Sequence, residues 1–292
     1  HVTDWAAALF NSSFPYRFAH MGLASFITGG FVVAGVSAWY ILKGRSVETA
    51  QQALKVTLVF LAIITPVQAL VGDFHGLNTL ENQPAKVAAM EGAWETQSGL
   101  PLLLFAIPDQ EAQTNHFEIG IPKLASLILT HDPDGVIQGL DAVPRDQQPP
   151  VFPIFWSFRV MVGIGLLMIL VSAWGAFKVW RGSLTSSTNY LRLLTYMIPA
   201  PFIAVLAGWF VTELGRQPYL IYGVMTAAES LTPSLEGWMV LLTLLGYMAI
   251  YAVVFTAGIW FLCKIIKKGI PEAEDLPNLN GSPKRPLSVA ET

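Results

Sequence analysis

Long apolar runs alternate with short polar breaks along this chain, and five of the runs are long enough to cross a bilayer. A spanning helix takes about 20 mostly apolar residues. Such runs extend from about Phe18 to Leu42, Ala53 to Val71, Pro153 to Phe177, Leu191 to Val211 and Trp238 to Cys263. The predicted fold class is an all-α integral membrane protein with about five transmembrane helices. Pro66 lies inside the second run, where it predicts a kink, and Pro199 and Pro201 lie inside the fourth. Prolines are tolerated in membrane helices because neighbouring groups re-satisfy the freed backbone.

The polar breaks orient the helices. Lys43, Arg45 and Lys55 lie around the first break, Lys178, Arg181 and Arg192 around the third, and Lys264, Lys267 and Lys268 follow the fifth run. Cytoplasmic loops carry the excess of Lys and Arg, which places the amino terminus outside and the carboxyl terminus inside. The second break is different in kind, a long extracytoplasmic loop at 73–152, acidic and poor in Lys and Arg. A connection this long is functional or disordered. Its apolar stretches, Leu100 to Ile107 and Ile119 to Leu129, argue against disorder and predict short helices on the membrane surface, one of them over Gln83 to Trp94. Four segments follow: two membrane helices in 1–72, the loop in 73–152, three membrane helices in 153–268, and a disordered cytoplasmic tail in 269–292.

Composition narrows the class. Of 292 residues, 53% are hydrophobic and 13% charged, against about 25% charged in soluble domains. A net charge of -3 gives no support for nucleic-acid binding, and a single cysteine, Cys263, excludes an internal disulfide and any cysteine-built metal site. Nine tryptophans and eight tyrosines suit interfacial belts. The first residue is His, which predicts a piece of a longer chain, with a processed mature protein as the alternative.

Depth in the membrane sorts the candidate chemistry. His20, Arg159, Met161 and Glu213 all fall near the outer ends of their helices. An imidazole and a thioether on different helices at one depth can hold a haem iron from both sides, and a guanidinium such as Arg159 can pair with haem carboxylates. A lone histidine near a helix end is more often an interfacial residue, a lone methionine more often packs, and Arg159 could equally extend outward to the interface. Glu213 and Arg216, three apart, could pair with each other. Lys86 and Glu91, five apart, could bind and deprotonate a small hydroxylated amphiphile, or could be ordinary charges on a solvated helix. His75, His116 and His131 show no metal-ligand spacing and read as surface histidines. Trp94 to Gln97 and Ile107 to Glu111 read as defined turns.

Several of these stretches, in order, resemble subunit I of the cytochrome bd ubiquinol oxidases: Phe18-Ala19-His20, Ser37 to Arg45, Lys86 to Glu91 leading into Trp94-Glu95-Thr96-Gln97, Ile107 to Glu111, Phe158 to Met161, and Gly208-Trp209-Phe210 leading into Gly215-Arg216-Gln217-Pro218. The resemblance covers all but the tail after about Lys268. It implies that His20 and Met161 are the axial ligands of haem b558, with Arg159 beside it. It implies that Glu213 ligates haem b595, with Arg216 close by. Lys86 and Glu91 then form the quinol pair of a periplasmic Q-loop, which is short here, as in the subfamily that includes cyanide-insensitive oxidases. Tyr219 stands where many members have Trp.

What the resemblance implies as a whole is a terminal respiratory oxidase of the bacterial inner membrane. Quinol is oxidised at the periplasmic face, and electrons pass through haem b558 and haem b595 to haem d (or a third haem b), where O2 becomes water. Subunit II and a small single-helix subunit are the implied partners. The family's subunit I has nine spanning helices, so this chain corresponds to the carboxyl-terminal part, expected to be inactive alone. Without the resemblance, Glu213 and Arg216 read as the charge relay of a transporter or channel, and the ligand pair as a di-haem quinone-linked electron carrier without oxygen chemistry.

Overall fold

The computed structural model describes residues 4–269, so the predicted disordered tail falls almost wholly outside the described residues. The helices are α1 (Trp5–Leu9), α2 (Phe14–Leu42), α3 (Val47–Asn82), α4 (Pro84–Glu91), α5 (Leu124–Thr130), α6 (Val151–Trp180), α7 (Thr188–Tyr196), α8 (Ala200–Leu214) and α9 (Gly237–Lys268). Five spans are long and apolar enough to cross a membrane: α2, α3, α6, α7 with α8, and α9. The five-helix expectation holds.

Two details differ from the sequence reading. The fourth span is two helices, because Pro199 and Pro201 lack the N–H groups that would continue α7's ladder. The second span runs unbroken through Pro66 and on to Asn82, eleven residues past Val71. At 1.5 Å per residue, its 36 residues reach about 54 Å, well beyond the roughly 30 Å hydrocarbon layer. α3 is therefore longer than the apolar layer is thick, and its continuation past Val71 carries His75.

Three apolar clusters are buried among the described residues, the smallest of them Leu103, Ala106 and Phe155. The largest joins α2, α3, α6 and α7 through Phe31, Leu54, Leu58, Leu61, Val171 and Tyr190. Thr65 and Ser172 place their hydroxyls 3.0 Å apart inside it. Helices approach closely at small residues here, as membrane packing favours: a Cβ on Gly175 would lie 2.1 Å from the Tyr190 hydroxyl. The second gathers α4, the loop and the loop-side ends of α6 and α8, through Ala88, Ala89, Trp94, Leu100, Ile137, Leu140, Ile154 and Val211.

The loop holds the expected short helices α4 and α5, but its first apolar stretch is not helical. Strands β2 (Leu102–Asp109) and β3 (Thr114–Ile121) form an antiparallel hairpin with Leu102 opposite Ile121 and Asp109 opposite Thr114. The turn is closed by Asp109, whose Oδ1 accepts from the N–H groups of Glu111 and Ala112; of the turn expected over Ile107 to Glu111, the first three residues are instead the end of β2. The shorter β1 (Gln97–Ser98) pairs with β4 (Val136–Ile137), and β5 (Tyr219–Ile221) with β6 (Met225–Thr226). The β2–β3 hairpin roots on α6, where Phe105 meets Trp156 edge-on.

α9 is different. None of its residues is buried. Near its C-terminal end the Tyr40 hydroxyl donates to the Ile266 carbonyl at 2.7 Å and Arg45 to that of Lys267 at 3.2 Å.

Candidate functional site

The site begins with α4. Pro84 suits its first turn, and Gly92 at φ 69° ends it in the left-handed conformation that glycine adopts without penalty. Ala85, Ala88 and Ala89 let the helix sink against α3 and α6, and every residue from Ala85 to Glu91 is buried. The expectation of a solvated helix with ordinary surface charges is overturned: Lys86 is 5% exposed and Glu91 4%. Five residues around a helix is a turn of about 140°, so the two charges face different neighbours.

Glu91 faces α6. Its Oε2 lies 3.5 Å from Arg159 Nη2. The guanidinium also donates to the carbonyls of Leu103 and Phe155, at 2.7 and 3.2 Å, and to that of Met90. It lies 3.4 Å from the centre of the Phe155 ring. Arg159 thus ties α6, the end of α4 and strand β2 together, and it does not extend outward to the interface. Burial pushes the Glu91 carboxyl above the usual carboxylate range, and the charge of Arg159 opposes that shift.

Lys86 faces α8. Its Nζ donates to the Thr212 carbonyl at 3.4 Å. Its stem crosses Gly215 so closely that a Cβ there would lie 2.7 Å from Lys86 Cγ and 2.8 Å from Cε. Burial, with the nearby charges of Arg17 and Arg216, lowers its pKa to about 8, while Glu213 acts the other way. Glu213 and Arg216 close on each other at 2.6 Å, and Arg216 also donates to the Leu220 carbonyl. Both are partly exposed at the end of α8. Over this end fold the following residues, where the Tyr219 hydroxyl donates to Gln147 at 2.8 Å.

His20 and Met161 each rest against a glycine of a neighbouring helix. A Cβ on Gly72 of α3 would lie 3.2 Å from His20 Cε1, and one on Gly208 of α8 would lie 3.0 Å from the Met161 sulphur. Gln68 donates to the His20 carbonyl at 3.1 Å, and His20 Nδ1 is buried without a protein partner. His75, expected at the surface of the loop, instead lies half-buried with its ring 5.5 Å from that of His20. The continuation of α3 past Val71 puts it there. His116 and His131 are exposed, as expected.

Sequence reasoning singled out His20, Lys86, Glu91, Arg159, Met161, Glu213 and Arg216. It missed Gly72 and Gln68, gave Gly208 and Gly215 no role beyond their place in a motif, and put His75 at the surface because it did not know how far α3 runs.

The family model of cytochrome bd terminal oxidase subunit I matches residues 1–270. The chain belongs to this family. It is 32% identical to the cytochrome bd ubiquinol oxidase subunit 1 of Bacillus subtilis (strain 168) over 92% of its own length and 59% of the relative's. It is 35% identical to the putative cytochrome bd menaquinol oxidase subunit I of the same organism, over 94% and 62%. Against the cytochrome bd-II ubiquinol oxidase subunit 1 of Escherichia coli (strain K12) the figures are 27%, 92% and 65%. The solved bd oxidase of Geobacillus thermodenitrificans superposes with a TM-score of 0.82 at 33% identity, covering 91% of this chain and 60% of that one. The chain therefore spans about three fifths of the length of the relatives it matches.

Cytochrome bd membership implies haem, and the residues present fit it. Imidazole and thioether donors on separate helices suit a low-spin haem iron, and each sits over a glycine that leaves its ring or sulphur unobstructed. The Glu213 carboxylate, part-exposed beside a guanidinium, suits a second, single-ligand iron. Five apolar spans and cytochrome bd membership together make this a multi-pass membrane protein.

Proposed function

We propose that this chain is the carboxyl-terminal part of subunit I of a quinol:oxygen oxidoreductase of the bacterial inner membrane, and that α4 carries its quinol site on the periplasmic side. What carries this reading is the burial of Lys86 and Glu91 in one short helix against the ends of two spans. A buried ionised group is costly unless it is paired, and here an amine and a carboxylate are held ready at the edge of the apolar layer in which a quinol dissolves.

In this reading Lys86 donates a hydrogen bond to one oxygen of the quinol head group. Glu91, with its raised pKa, takes a proton from a hydroxyl. Each quinol gives up two protons and two electrons to become quinone, and two quinols supply the four electrons that reduce O2 to two waters. Arg159 holds Glu91 in place and offsets part of its charge. His20 and Met161 would hold haem b558 and Glu213, next to Arg216, would hold haem b595. When bound, these haems supply one-electron carriers that a side chain cannot provide. Haem d or a third haem b, oxidase subunit II and a small single-helix subunit complete the proposed assembly. The segments 1–72, 73–152 and 153–268 then act as ligand-bearing pair, Q-loop and ligand-bearing triplet, with the amino-terminal side outside.

In the complete oxidase, Lys86→Ala and Glu91→Ala are expected to lower quinol oxidation at least tenfold while an artificial donor to the haems still supports oxygen uptake. Equal loss with both donors would count against a quinol site on α4.

A further inference from the structure

The geometry points to a second role for Lys86: it is a positioning residue for Glu213, joining the proposed quinol helix to the carboxylate end of α8. This rests on the reading in which Glu213 holds a haem, and it assigns to the lysine an effect on that haem in addition to quinol binding.

Two independent contacts carry it. The Lys86 ammonium donates to the carbonyl of Thr212, the residue directly before Glu213. Carbonyls in the last turn of a helix have no partner within the helix, and a cation there is favoured by the helix dipole. Lys86 thus caps α8 at the turn from which the Glu213 side chain leaves. The second contact is Gly215. Its backbone φ of -68° is one any residue adopts, so conformation does not call for glycine here. Space does, because a Cβ would lie 2.5 Å from the Val211 carbonyl oxygen and would also press into Lys86 Cγ and Cε. The chain after Glu213 therefore packs directly on the lysine stem, which lies between α4 and the start of the Arg216 turn.

The consequence is electrostatic as well as steric. Arg216 is already committed to Glu213 and to the Leu220 carbonyl. Lys86 adds a buried positive charge at the same short stretch, against the Thr212 carbonyl. Adding an electron to an iron held by Glu213 is favoured by a nearby cation, and the benefit is larger where water is excluded. Removing the ammonium while keeping the stem should lower the reduction potential of that haem and loosen the geometry of its carboxylate ligand.

The test uses the complete oxidase and spectroelectrochemical titration. Lys86→Met keeps the stem, and it is expected to shift the midpoint potential of the high-spin haem downward and to broaden its electron paramagnetic resonance signal. Lys86→Arg, which restores the charge, should return the potential towards the original. Glu91→Gln, on the same helix but facing Arg159, should leave that potential where it was. An unchanged potential in Lys86→Met overturns the inference, and so does an equal shift in Glu91→Gln, which would trace the effect to α4 as a whole. Glu213→Ala separates the premise from the inference. Loss of the high-spin haem in that variant upholds the ligand reading whatever Lys86 does. Its retention removes the ligand reading and this role of Lys86 with it.

Discussion

Replacing Arg159 by methionine removes a charge while keeping much of the side-chain volume, and its cost follows from the contacts. Opposite unit charges 3.5 Å apart attract by about 5 kcal/mol at an effective dielectric of about 20. Desolvation of both groups offsets much of that, but only if both partners are present. Taking one away leaves the other buried and uncompensated, which costs about 3–5 kcal/mol. The carbonyls of Leu103, Met90 and Phe155 lose a donor at the same time. The expected loss is therefore about 4 kcal/mol, and it should be local, because those carbonyls belong to β2, α4 and α6. Hydrogen exchange on the complete oxidase should show amides of residues 84–121 exchanging about a hundredfold faster or more, with the middle of α2 unchanged.

The sign with pH is fixed as well. Glu91 already has a raised pKa in the folded protein, and loss of Arg159 removes the groups that oppose the rise. An acid whose folded pKa is raised contributes stability that is fully present below its unfolded pKa and is lost as pH rises through the folded one. Arg159→Met should therefore be better tolerated near pH 5 than near pH 8. Adding Glu91→Gln should restore about 2 kcal/mol, since the stranded carboxylate is gone. A double variant whose loss equals the sum of the two single losses, or a single variant costing under about 1 kcal/mol, would refute the buried-pair account.

Quinol turnover should follow a bell in pH, rising as Glu91 loses its proton and falling near pH 8 as Lys86 loses its own. Lys86→Met should flatten the alkaline limb and Glu91→Gln the acid limb; limbs unmoved by either would assign the titration elsewhere. Met161→Leu should turn the haem held with His20 towards high spin in the reduced spectrum with little loss of folding, and an unchanged spectrum would remove Met161 from the ligand set. Gly175→Ala should lower the melting temperature, because the new methyl meets the Tyr190 hydroxyl and Leu58 and overpacking of a tight core costs about 1–3 kcal/mol. A further Tyr190→Phe change should recover part of that loss.

Much of the membrane part was legible because a bilayer enforces a simple rule. Twenty apolar residues must become a helix, and five such runs did. The loop obeys no such rule. Leu102 to Ile107 reads as easily as a helix as a strand when its neighbours are membrane helices, and only the pairing with Thr114 to Ile121 decides. The burial of α4 was hidden for a similar reason. Alanines at 85, 88 and 89 fit both a water-facing surface and a tight interface, and what selects the interface is the packing on α3 and on α6, the latter far along the chain. His75 was misplaced because nothing in Gly72-Asp73-Phe74 marks the end of the bilayer as the end of the helix. The pairing of Glu213 with Arg216, by contrast, needed only their three-residue spacing.

Among the described residues, the hydrogen bonds that join α9 to other spans are at its last turn, through Tyr40 and Arg45, and none of its residues is buried. Apolar residues along its outer two thirds can therefore be exchanged for others of similar hydropathy without disturbing how the remaining spans fit together. What such exchanges would alter is its tilt, which lipids or adjoining helices must set.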